Sequence, residues 1–230
     1  EIEPLERGFG TTLGNALRRV MLSSLPGDAI TSVHIDGVLH EFQTIDGVVE
    51  DVTQIILNLK NVVVKNLTEE TKELHLSATE EGIVTAGDII TDSDVEIINK
   101  DQVIATLAKG GKLDMELIVA NGRGYVPSNE NKKYVENNKI GYIPIDAIYS
   151  PIENISYEVD SARVGQDANY DKLIISVSTN GSLRPEEAVA LGSKILIEHL
   201  NILTNLSDIA DMTGIMTAKQ EDSKLKKLET

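Results

Sequence analysis

A chain of 230 residues and 25.0 kDa is long enough for one large domain or two small ones, and it buries a core without covalent staples. It has no cysteine, so disulfides and thiolate metal sites are excluded and a cytoplasmic setting is the expectation. A net charge of −16, no Trp and 3% aromatic residues offer little to a nucleic-acid groove, which needs cations to displace counterions and rings on which bases stack.

No apolar run approaches the roughly 20 residues that cross a bilayer, and no leader pattern opens the chain, so no membrane contact is expected. Residue 1 is Glu, as expected of a chain that begins inside a longer gene product.

The first segment, "EIEPLER", holds Pro and three acids and does not read as a buried parallel strand. "RGFGTTLGNALRR" follows. Its Gly8, Gly10 and Gly14 give G-x-G-x-x-x-G, one residue longer than the dinucleotide fingerprint, and no Lys follows Gly14 as a phosphate loop requires. The structural reading is that Gly8 and Gly10 turn the chain into a helix. Gly14 then makes room for a close-lying backbone, at a helix cost of about 1 kcal/mol. The helix spans about Thr12–Ser24, with Leu13, Ala16, Leu17, Val20 and Met21 on one face. Thr11 or Thr12 is its expected cap, and Pro26-Gly27 ends it.

Alternation at Thr31, Val33 and Ile35 reads as a strand. Val48–Leu59 reads as a helix, with Val49, Val52, Ile55, Ile56 and Leu59 facing inward. Short strand patterns follow around residues 74–77, 83–89, 95–98, 103–107, 113–119 and 140–148, spaced as in antiparallel pairing. "DIITDSDVEI" sets Asp92, Asp94 and Glu96 at alternate positions. A calcium loop needs Gly at its sixth place and Glu at its twelfth, and Ile97 and Val103 stand there. His34, His40, His75 and His199 have no ligand set at metal spacing, so no metal or cofactor is expected. Gly122–Lys139 is polar and reads as a long exposed loop.

Strands at about Ser156–Val159 and Leu173–Ser178 lead through Asn180-Gly181 into a last helix, about Pro185–Leu203. Pro185 suits the first turn, and Glu186 and Glu187 complement the dipole there. Ala188, Leu191, Ile195, Leu196, His199, Ile202 and Leu203 form its stripe. Residues 219–230 are charged and read as the start of a linker.

The expected fold is α+β: a discontinuous domain of residues 1–26 and 152–218, made of a sheet and two long helices, with a mostly β domain, 27–151, inserted in it. Both helices carry apolar residues off the main stripe, including Leu22, Val189 and Ile197. Such width predicts burial on two sides, one of them against a second copy. Leu13, Leu17, Met21, Leu191, Ile195 and Leu196 are the expected residues at or beneath that dimer interface.

"EPLERGFGTTLGNALRRVMLSSLPG", "IDGVLHEFQTIDGVVEDV", "LNLKN", "VTAGDI", "GRGYVP", "YSPI" and "YDKL", in this order, resemble the N-terminal domain of the bacterial RNA polymerase alpha subunit. The resemblance implies a homodimer that nucleates assembly of the beta and beta-prime subunits and is itself non-catalytic. It also implies a first strand ahead of residue 1, and a DNA-binding C-terminal domain past the linker that is absent from this chain. By resemblance, Arg19 binds a large subunit, and Lys60 and Ile145 lie on a further large-subunit surface. Leu22 shares a face with Arg19 and is apolar where solvent should meet a polar residue. Two other readings stay open on residues alone: an unrelated homodimeric adaptor, and a small-molecule enzyme with an unrecognised acidic site. Partner capture separates the first from the family; a copurifying ligand would mark the second.

Overall fold

Pro4 lacks an N–H and is tolerated only at a sheet edge, and β1 (Ile2–Glu6) is an edge strand. The computed structural model describes residues 1–135 and 141–204. Helix α1 (Phe9–Ser24) begins earlier than capping by Thr11 or Thr12 predicts. Its N-cap is Gly8 at φ 91°, a left-handed conformation that glycine adopts without strain. The exposed amides are satisfied from across the molecule. Asp171 Oδ2 accepts from the Gly8 N–H at 2.8 Å and the Gly10 N–H at 3.1 Å. The Thr12 hydroxyl instead donates back to the Gly8 carbonyl at 3.0 Å.

Strand β2 (Pro26–Ile35) follows one residue after α1 and is buried on both faces from Ala29 to Val33. Ser32, which alternation places outside, is therefore inside, and the buried Thr31 hydroxyl donates to the Ile118 carbonyl at 3.2 Å. Helix α2 (Val52–Leu59) is shorter than predicted, because Asp51 caps it by accepting from the Gln54 N–H at 2.7 Å. Val49, expected on its inner face, lies outside the helix and is 69% exposed; its N–H donates to the Thr106 carbonyl.

Short strands follow: β3 (Val64–Asn66), β4 (Lys72–Ala78), β5 (Gly82–Thr85), β6 (Val95–Ile97), β7 (Val103–Leu107), β8 (Leu113–Arg123) and β9 (Tyr125–Val126). Next comes helix α3 (Ser128–Val135), where sequence reading places a polar loop. Among its residues with described side chains the buried one, Asn131, is polar; its Nδ2 donates to the Ile145 carbonyl at 2.7 Å. Residues 136–139 of the predicted loop lie outside the described residues. The strand expected at 140–148 is two short pieces, β10 (Ile143–Pro144) and β11 (Ala147–Ile148).

Strands β4-β8-β2-β3-β6 form one sheet in that order, with β10 paired to β2. The α2 side chains Val52, Ile55 and Leu59 share a core with Val33, Leu74, Leu117 and Ile104 of this sheet and β7.

Strands β12 (Ile152–Val164) and β13 (Asp167–Thr179) form a long hairpin, and β1 completes the sheet as β1-β13-β12. This sheet is two-faced by alternation. Tyr157, Val159, Asp171 and Leu173 meet α1, while Lys172 on β13 pairs with Glu1 at 2.7 Å. A Cβ on Gly10 would stand 2.7 Å from Val159 Cγ1, and one on Gly14 would stand 2.5 Å from the Tyr157 ring and 2.9 Å from Leu173 Cδ1. Sheet side chains, not the expected backbone, fill the space that Gly14 leaves. Helix α4 (Pro185–Thr204) buries Ala188 and Gly192, and a Cβ on Gly192 would meet Met21 Cγ at 2.8 Å.

Residues Glu1–Ser193 make one compact unit, and a second begins at Lys194. Within the first, β1, β12 and β13 form one sheet and β2, β3, β4, β6 and β8 another. Residues 205–218 and the predicted linker 219–230 lie outside the described residues.

The glycine seam is open to test by thermal melts. Gly14→Ala gains about 1 kcal/mol of helix propensity and loses about 1–3 kcal/mol to overlap with Tyr157, so Tm should fall by a few degrees. In a Tyr157→Ala background the same change should raise Tm. A rise in the otherwise unchanged chain would show that α1 is not seated on that ring.

Candidate functional site

Successive residues of a helix point about 100° apart, which sorts α1 into faces. Gly10, Gly14, Leu17 and Met21 are buried along the seam against the sheet. Leu17 and Met21, expected at or beneath a dimer interface, are thus core residues of this chain, and Leu13 is half-buried at the margin. Arg18 turns toward β12, with Nε donating to the Ile155 carbonyl at 3.4 Å. Arg19 points outward, and its guanidinium has no hydrogen bond or ion pair among the described residues. Leu22, one turn on, is exposed beside it. On α4, Leu191, Ile195 and Leu196 are half-buried. Ile197, Leu200, Ile202 and Leu203 are 55–63% exposed. Phe9 is also exposed, an apolar position that sequence reading missed because it precedes the predicted helix start.

The second pair of predicted contacts, Lys60 and Ile145, is brought into one shallow cleft. Thr53, Ile56 and Leu57 of α2, with Pro144 and Asp146, line it too. Lys60 is the C-cap of α2, where the helix dipole favours a cation. Its Nζ stands 2.7 Å from Asp146 Oδ2, while Asp146 Oδ1 accepts the Ser128 N–H at 2.9 Å. The Lys60 hydrogen bond, helped by the Ser128 amide, holds the Asp146 carboxyl below the usual carboxylate range; partial burial works against it. Ile145 does not present its side chain as the resemblance implies. It is 2% exposed and belongs to the core, so it supports this surface from beneath. Its truncation would open a cavity as well as disturb the surface.

The remaining chemistry-bearing residues are accounted for locally. Asp94 pairs with Lys72 at 2.6 Å, and Asp92 reaches the same ammonium at 3.4 Å. His75 stands 3.3 Å from Asp114, and the His34 ring lies 5.2 Å from that of Tyr142. Among the described residues no group of three or more His, Asp or Glu is arranged to hold a metal ion. No described helix is long and apolar enough to cross a membrane. At the start of α1, the amides of Gly8 and Gly10 that would cradle a phosphate are occupied by Asp171.

Two helices thus carry exposed apolar side chains, and beside one of these stands an arginine without a partner among the described residues. Residues 33–150 match the family model described as the RNA polymerase Rpb3/RpoA insert domain. The chain is 58% identical over 228 residues to the DNA-directed RNA polymerase subunit alpha of Oceanobacillus iheyensis, covering 99% of this chain and 72% of that protein. It belongs to the family of bacterial RNA polymerase alpha subunits.

The Lys60–Asp146 pair carries a pH signature. A carboxylate whose native pKa is lowered contributes its stability above the unfolded pKa and loses it as pH falls through the native one. Urea unfolding across a pH series should therefore show Asp146→Asn less stable than the parent above about pH 5, with the gap closing below about pH 4. A gap that stays constant down to acid pH would mean that the pair contributes no charge-dependent stability.

Proposed function

We propose that this alpha-family chain is a homodimeric, non-catalytic scaffold that nucleates assembly of the beta and beta-prime subunits into a DNA-directed RNA polymerase, the complex being the nucleotidyltransferase. In this reading residues 1–26 and 152–218 form the dimerisation domain, with α1 and α4 at the two-fold interface. Residues 27–151 add the Lys60 surface to the large-subunit contacts. DNA contact is left to the family's C-terminal domain.

The observation that carries the reading is the set of exposed apolar side chains on α4. Ile197, Leu200, Ile202 and Leu203 stand exposed on a chain with a net charge of −16. Burying each such side chain is worth about 1.5–3 kcal/mol, so a matching surface is strongly favoured. A second copy supplies a self-complementary one.

Sedimentation at micromolar concentration should give twice the chain mass, and Ile195→Glu should shift the chain toward monomer. A monomeric parent chain would overturn the dimer.

Arg18 and Arg19 separate the two surfaces of α1. Arg19→Ala should keep the dimer and cost roughly 2 kcal/mol or more in capture of a large subunit, because a desolvated cation contact is lost. Arg19→Lys should restore little, since a point charge does not reproduce the planar fork. Arg18→Ala should weaken capture less. Equal losses from Arg18→Ala and Arg19→Ala, or loss of the dimer in Arg19→Ala, would reject the assignment.

A further inference from the structure

Two segments far apart in sequence converge on the carboxylate of Asp146. Lys60, from the end of α2, donates to Oδ2 at 2.7 Å, and the Ser128 amide, at the first residue of α3, donates to Oδ1 at 2.9 Å. The side chains of Lys60 and Asp146 are 22% and 29% exposed, so most of this pair is withdrawn from water while a rim of it faces the cleft. A free lysine has about 2 kcal/mol of rotamer entropy to lose when it docks. Here Asp146 has already restricted that freedom, and an ammonium carries three donors, of which Asp146 takes one.

We infer that Asp146 is a positioning residue for large-subunit docking: it fixes the Lys60 ammonium over the cleft and ties it to the first turn of α3. The inference rests on the reading of Lys60 as a large-subunit contact. Asp146 adjoins Ile145, whose side chain forms the cleft floor from the core. One carboxylate therefore sets both the charged rim and the edge of the apolar floor. The occupant is the large subunit itself, offering acceptors to the two remaining donors of Lys60.

The test is a double-substitution cycle on the full chain, coexpressed with the beta and beta-prime subunits, reading capture of each together with dimer mass. Lys60→Met keeps the aliphatic stem and removes the charge. Asp146→Asn keeps an acceptor for the Ser128 amide and releases Lys60. Each should lower capture by about tenfold. The double variant should be no weaker than Lys60→Met alone, and Asp146→Glu should recover part of the loss. If Lys60→Met captures normally, the reading of this surface fails, and the positioning role with it. If Lys60→Met weakens capture but Asp146→Asn does not, or if the two losses multiply, Lys60 is a contact and Asp146 does not act through it.

Discussion

Helix α1 lies on the β12–β13 hairpin at a distance set by hydrogen atoms where side chains would otherwise stand. Gly10 and Gly14 let Val159, Tyr157 and Leu173 approach the helix backbone. Asp171, from the same sheet, binds the helix N-terminus and so fixes its position along the axis as well as its depth. Other placements follow from this seating. It turns Arg18 toward the sheet and Arg19 away from it, and it brings Met21 against the gap at Gly192 of α4. A rotation of α1 by one residue, about 100°, would exchange the two arginines.

The glycine-rich stretch invites a phosphate reading for a sound physical reason. Free amides and the positive end of a helix do attract an anion. Here the anion is internal. A carboxylate from a residue 163 positions away fills the place, and a local motif search sees the glycines without seeing Asp171.

Apolar periods made α1, α4 and strands β4, β6 and β8 legible, because burial enforces a period that survives in the sequence, whereas the three-residue β3 was too short to leave one. Features decided by distant partners were not legible. Strand β1 exists because β13 offers it an edge, and Pro and acids in its own sequence argue only against a buried parallel strand. Helix α3 buries an asparagine, so it leaves no hydrophobic period. Val49 continues the apolar run into α2, but Asp51 stops the helix, and the D-x-x-Q spacing of Asp51 and Gln54 was the available signal. Of the candidate site, helical phase separated Arg18 from Arg19 and set Leu22 beside Arg19, while the choice of Arg19 came from resemblance. Lys60 and Ile145 came from resemblance, and only the folded chain shows that one sits at the surface, tied to Asp146, and the other beneath it.

The bond between Gly8 and Asp171 also has a consequence in time. Helix α1 waits for the Asp171 carboxylate and its seat on the hairpin until 163 further residues have been made. At about 5–20 residues per second of synthesis, that interval is roughly 10–30 s. Throughout it the apolar seam of α1 has no native surface to meet. Until the β12–β13 hairpin forms, Gly10 and Gly14 have no side chains of Val159, Tyr157 and Leu173 to pack against.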